Sequence, residues 1–184
     1  FYKSPDVPNN NHFKCQQKCY GMKLGILSST GDINVQRWAD LFDYLVVALA
    51  QKCVQMVEQD LCEKSYLLTL SDIRNSWKGP VEPFITECLS ETHANPQLVE
   101  DFFKNGVLSD DPCFKCALKC VEMKLNVMSP TGEVDAQQAV RIYPHISLQL
   151  VQRCADENAQ ESDLCHKMYL IEKCVYDGVA NSTA

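Results

Sequence analysis

Apolar residues recur along most of this chain with the 3.6-residue period of helices. Trp38, Leu41, Phe42, Leu45, Leu49, Cys53 and Met56 mark one face of a stretch from about residue 34 to 58, which predicts one long helix. Leu164, Met168, Ile171 and Val175 mark a later one. Between them, Asn95-Pro96 makes an N-cap and first-turn pair, Leu98, Val99, Phe102 and Phe103 follow at helical spacing, and Gly106 stops the helix. Asp111-Pro112 opens another. Over residues 135 to 158 the same periodicity is interrupted by Pro144, which lacks an N–H and clashes with the preceding turn, so two helices should meet there. No run alternates well enough to be a strand, and the expected fold class is all-α.

Sliding the sequence on itself exposes an internal repeat. Phe13-Lys14-Cys15 and Lys18-Cys19 match Phe114-Lys115-Cys116 and Lys119-Cys120 at an offset of 101 residues. The match runs on through Met22-Lys23-Leu24 with Met123-Lys124-Leu125, and through Thr30-Gly31-Asp32 with Thr131-Gly132-Glu133. Cys53 falls on Cys154, and after a two-residue insertion Asp60-Leu61-Cys62 meets Asp163-Leu164-Cys165 and Tyr66 meets Tyr169. Only the second copy has helical segments upstream; before Phe13 stands a polar, Pro- and Asn-rich arm. The expected organisation is an incomplete module over 1–76 and a complete one over 77–184, with a short linker near Ser76–Pro80.

Charge narrows the function. Seventeen basic against twenty-four acidic side chains leave −7 and a pI near 5.0, the wrong sign for nucleic acid or an anionic membrane surface. The longest apolar run, Tyr44 to Ala50, falls far short of the roughly 20 residues that cross a bilayer, so no membrane insertion is expected. Eleven cysteines in 184 residues exceed cytosolic usage and point to an oxidising, extracellular compartment. The opening Phe1-Tyr2-Lys3-Ser4-Pro5 reads as a mature end left by signal cleavage, and Asn181-Ser182-Thr183 is a glycosylation sequon compatible with secretion.

Cys88, Cys116, Cys120, Cys154, Cys165 and Cys174 are separated by 27, 3, 33, 10 and 8 residues. An i, i+4 pair such as Cys116 and Cys120 shares one helix face and can reach two neighbouring helices. With the lead-in Gly106-Val107-Leu108-Ser109-Asp110 and the Thr131-Gly132 turn, residues 80 to 177 resemble the insect odorant-binding and pheromone-binding proteins. That resemblance implies a secreted, disulfide-stapled helical module with the bridges Cys88–Cys120, Cys116–Cys165 and Cys154–Cys174. Carried through the repeat, it implies Cys15–Cys62 as well. The first copy departs from the pattern. No cysteine precedes Cys15, and Ser71 stands where the second copy has Cys174. Cys19, Cys53 and Cys113 are left over, and Cys19–Cys53 is the most economical extra pair.

Catalytic and metal readings fare poorly. Cys113-Phe114-Lys115-Cys116 is a CxxC without a second knuckle or a βαβ pattern, and none of His12, His93, His145 and His166 sits in a recognisable catalytic motif. No enzyme, cofactor or metal is expected. His145 and His166 could titrate near physiological pH. The leading expectation is a secreted carrier that reversibly binds a small hydrophobic ligand in an internal apolar pocket, chiefly within Gly79–Tyr176. Its wall candidates are Phe102, Phe103, Met123, Ile146, Leu150, Met168, Tyr169 and Ile171, taken from the helical stripes, although ordinary core packing would give single residues the same periodicity. One alternative is a scavenger of biogenic amines or lipid mediators like two-module salivary relatives; an amine binder would need buried Asp or Glu beside aromatics. The other is an interaction protein using an exposed groove of the shorter copy. That copy's apolar surface needs a cover, either the second module, a second chain to give a homodimer, or a reorganised pocket. The short linker favours the second module, with Trp38 or Trp77 buried between the two.

Overall fold

A computed structural model of the chain describes residues 11–41 and 60–181. Every regular element among them is an α-helix: α1 (Asn11–Lys23), α2 (Val35–Leu41), α3 (Leu61–Thr92), α4 (Pro96–Asn105), α5 (Pro112–Lys124), α6 (Ala136–Ile142), α7 (Leu148–Glu157) and α8 (Leu164–Asn181). The described residues fall into two compact units, one ending at Asp72 and one beginning at Ile73. Residues 76–80, expected as a linker, are helical, because α3 runs through Gly79-Pro80 and Pro83. The carbonyls of Ser76 and Gly79, four residues before each proline, thereby lose their helical donor.

Helix ends follow local chemistry. Asn95 accepts from the Gln97 N–H at the start of α4, Asp111 from Phe114 at α5, Asp135 from Gln138 at α6 and Ser147 from Leu150 at α7. Gly106 ends α4 in the left-handed region at φ 73°. Pro144 does separate two helices, α6 and α7. The helix expected from about 34 to 58 starts as α2; its continuation, and Cys53 with it, lies outside the described residues, as do Ser182 and Thr183 of the sequon.

The earlier unit repeats the later one's local geometry. Each copy has a turn closed by an isolated β-bridge, Leu27 to Ile33 and Met128 to Val134. Ser28 N–H donates to Asp32 at 2.8 Å, and Ser129 N–H to Glu133 at 2.8 Å. Gly31 and Gly132 take φ 89° and 84° there, with Leu61 or Leu164 so close that a Cβ would lie 2.8 or 2.5 Å from it. The ammonium of Lys14 sits 4.8 Å from the Tyr66 ring centroid, and that of Lys115 sits 4.7 Å from Tyr169.

In the later unit three bridges interlock. Cys88–Cys120 ties α3 to α5, Cys116–Cys165 ties α5 to α8, and Cys154–Cys174 ties α7 to α8. Cys15–Cys62 joins α1 to α3 in the earlier unit. Cys19 is an exposed free thiol and so does not make the expected bridge to Cys53, whereas its counterpart Cys120 is met by Cys88. Cys113 is likewise free and exposed, and its CxxC partner Cys116 is committed to Cys165.

Two outcomes are expected. Alkylation of the native protein before non-reducing peptide mapping should label Cys19 and Cys113 and leave the four bridged pairs intact; a Cys19–Cys53 peptide would contradict the structure. Gly178 on α8 packs so tightly on α7 that a Cβ would fall 2.4 Å from Leu150 Cδ1. Gly178→Ala should therefore destabilise by about 1–2 kcal/mol in urea unfolding, overpacking outweighing the usual helical gain from alanine.

Candidate functional site

A cavity of about 120 Å³ lies inside the later unit. Trp77, Val81, Ile85 and Leu89 face it from α3, and Val99, Phe102 and Phe103 from α4. From α5 come Phe114, Ala117, Leu118, Val121 and Glu122, a stripe at i, i+3, i+4, i+7 and i+8. Helix α8 repeats that spacing with Met168, Ile171, Glu172, Val175 and Tyr176. Ala139, Tyr143, Ile146 and Val151 line it around the α6–α7 break, and Cys88, Val127 and Val134 complete the wall.

Of the wall residues expected from sequence, Phe102, Phe103, Ile146, Met168 and Ile171 border this cavity. Met123, Leu150 and Tyr169 do not. Met123 is one residue past Glu122, which rotates it about 100° around α5 away from the cavity face. Leu150 is buried against Gly178. Tyr169 faces Lys115 and stacks on His166, with centroids 6.1 Å apart. Trp77, expected between modules, packs within its own unit, edge-on to Tyr143 and Tyr176 at 6.2 and 6.4 Å. Its indole N–H donates to the Pro144 carbonyl at 2.7 Å.

Helix α4 carries no cysteine and is held by Arg74. This buried guanidinium donates to the Phe103 and Lys104 carbonyls, each at 3.3 Å, and to the Tyr176 hydroxyl at 3.0 Å. A cation on the last carbonyls of a helix also complements its dipole.

Three polar groups in the wall were invisible to a search for apolar stripes: the carboxyls of Glu122 and Glu172 and the hydroxyl of Tyr143. The Tyr143 hydroxyl donates to Glu122 Oε1, while buried Oε2 has no hydrogen-bond partner. Burial pushes the Glu122 pKa from 4.5 to about 7, partly opposed by the Tyr143 hydrogen bond. Burial, and then the charge of Glu122, raise Glu172 well above the usual carboxylate range. Tyr143 is raised too, by burial first and the nearby carboxylates second. No Lys, Arg or His is among the lining residues. His145, next to the wall, is half-buried with its pKa lowered by that burial.

Residues 73–178 match the PBP/GOBP family model, well over half of the chain. The chain belongs to the PBP/GOBP family. This is the odorant- and pheromone-binding family, whose members are secreted binding proteins of small hydrophobic ligands. No curated protein and no solved structure matches the chain. The matched segment contains the whole cavity wall and the three interlocked bridges of the PBP/GOBP module.

The carboxyl pair gives stability a specific pH dependence. Folded Glu122 keeps its proton up to about pH 7, whereas the unfolded chain releases it near 4.5. The folded state thus binds more protons in that window, so this contribution is fully present below about 4.5 and is lost as pH rises through about 7. Thermal melts of wild type and Glu122→Gln should diverge over that range, the wild type losing stability with rising pH relative to the variant. His145, whose effect has the opposite sign, is common to both proteins and cancels. Parallel melting curves would remove the buried-acid assignment.

Proposed function

We propose that this protein is a secreted carrier that takes a small, largely apolar molecule into the cavity of its PBP/GOBP module. The observation that carries the reading is the cavity itself: about 120 Å³ walled mostly by aliphatic and aromatic side chains inside the family-matched segment. An apolar cavity of about 150 Å³ in another protein suffices for benzene, so one ring or a short chain is the scale of guest. Binding would rest on removing ligand surface from water at roughly 25 cal/mol per Å², with the Glu122, Glu172 and Tyr143 groups available to orient one polar end. The bridges and the family's secreted character support an extracellular setting. As members of a family of binding proteins do, it would act by uptake and release and without catalysis.

The test is occlusion. Ala117 and Ala139 are small, buried and face the cavity, so Ala117→Leu or Ala139→Phe should cut affinity for an apolar fluorescent probe about tenfold or more, with far-UV circular dichroism unchanged. Undiminished binding in both folded variants would place the ligand elsewhere.

A further inference from the structure

We propose that α4 is the door through which a guest reaches the cavity and that Arg74 is its latch. This deepens the carrier reading and rests on it. A wall of stapled helices admits a guest most readily where it is least restrained. Cysteine bridges fix α3, α5, α7 and α8. Helix α6 has no bridge but buries Ala136 and Ala139. Among the described helices of this unit, α4 has neither a bridge nor a fully buried residue, yet it sets Val99, Phe102 and Phe103 against the cavity.

The two ends of α4 differ as those of a door must. Its N-terminal end is anchored: Ala94 is buried, its N–H donates to the Leu89 carbonyl at 3.2 Å, and Asn95 caps the first turn. The C-terminal end is held by what Arg74 reaches from α3. Its bonds to the Phe103 and Lys104 carbonyls, each 3.3 Å, lie at the long edge of the N–H···O range, and these acceptors, like the Tyr176 hydroxyl, are neutral oxygens. Past Gly106, residues 107–110 carry no regular structure before Asp111 caps α5, and Val107 is exposed, so this end can swing without breaking a helix or a bridge. Gly106 completes the latch. A Cβ there would lie 2.2 Å from the Tyr176 hydroxyl and 3.1 Å from Arg74 Nη1, and the φ of 73° disfavours a side chain as well. Phe102 meets the Tyr176 ring edge-on, with centroids 5.5 Å apart. Because one guanidinium holds both the end of α4 and the Tyr176 hydroxyl, its release frees the two sides of that seam together, a local opening that leaves the stapled helices in place.

Trp77 lines the cavity, so nitrobenzene, one ring and a quencher of indole emission, reports its own entry in stopped flow. Arg74→Met removes the hydrogen bonds and keeps an apolar stem. It should raise the association and dissociation rate constants together, each about tenfold or more, and leave Kd within about threefold, since a latch closed before and after uptake sets the barrier and not the end states. Hydrogen exchange of the wild type should show the amides of α4 opening before those of α5 and α8. If Arg74→Met does not fold, Tyr176→Phe, which keeps the ring and loses one acceptor, should move both rate constants the same way by about threefold or more. A rise in dissociation alone would make Arg74 a support of the wall and overturn the latch. Unchanged rate constants, or α4 amides protected like those of α8, would overturn the door. In each of these cases binding of nitrobenzene leaves the carrier reading standing. If the wild type binds no nitrobenzene, the door and the carrier reading fail together.

Discussion

Cys116 and Cys120 lie one turn apart on α5 and are bonded to two different helices, Cys165 on α8 and Cys88 on α3. The rest of the later unit depends on this arrangement. With Cys154–Cys174 it fixes α3, α5, α7 and α8 whether or not the space between them is filled. An unfilled volume of about 120 Å³ forfeits roughly 3 kcal/mol at about 24 cal/mol per Å³. One bridge contributes about 2–4 kcal/mol by restricting the unfolded chain. Three bridges therefore more than offset an empty cavity, and the module can keep an apolar space that a stapleless domain of its size would collapse to fill.

Helix α4 shows what the staples leave out. It presents Val99, Phe102 and Phe103 to the cavity, yet none of its residues is fully buried and no bridge reaches it. Its hold is polar, through Arg74 on the Phe103 and Lys104 carbonyls. Because Arg74 also binds the Tyr176 hydroxyl, the clamp on α4 and one wall residue of α8 share the same guanidinium. The least covalently restrained part of the wall is thus coupled to the cavity by hydrogen bonds, the kind of contact that opens locally without unfolding the stapled core.

What could be read in the sequence was whatever is local. Asn95-Pro96, Gly106, Asp111-Pro112 and Pro144 act within a turn of themselves, and the helices begin and end where those residues dictate. The bridges came from resemblance to a family, since i, i+4 spacing shows that Cys116 and Cys120 share a face without saying whom they meet. Periodicity places a residue on an inward face but cannot separate filled core from cavity wall. Phe102 and Ile171 line the cavity, whereas Leu150 spends its side chain against Gly178 and Tyr169 against Lys115. Glu122 and Glu172 escaped because the stripes were drawn from apolar residues alone. Yet both sit in register with them, Glu172 four residues after Met168 and Glu122 eight after Phe114, and an acid within an apolar stripe was the available signal.

The internal repeat separates scaffold from site more sharply than either copy could alone. Both copies keep the β-bridged turn, its glycine, the bridge from the first helix and the Lys over Tyr. These are the parts that position helices. At the positions that open the cavity the copies disagree in volume as well as in charge: Ala139 of the wall is answered by buried Trp38, and Ala117 by Gln16. A shared scaffold thus constrains turns, caps and cysteines, while the positions that form the wall in the later unit are free to differ, and the two acids stand where that unit has its cavity.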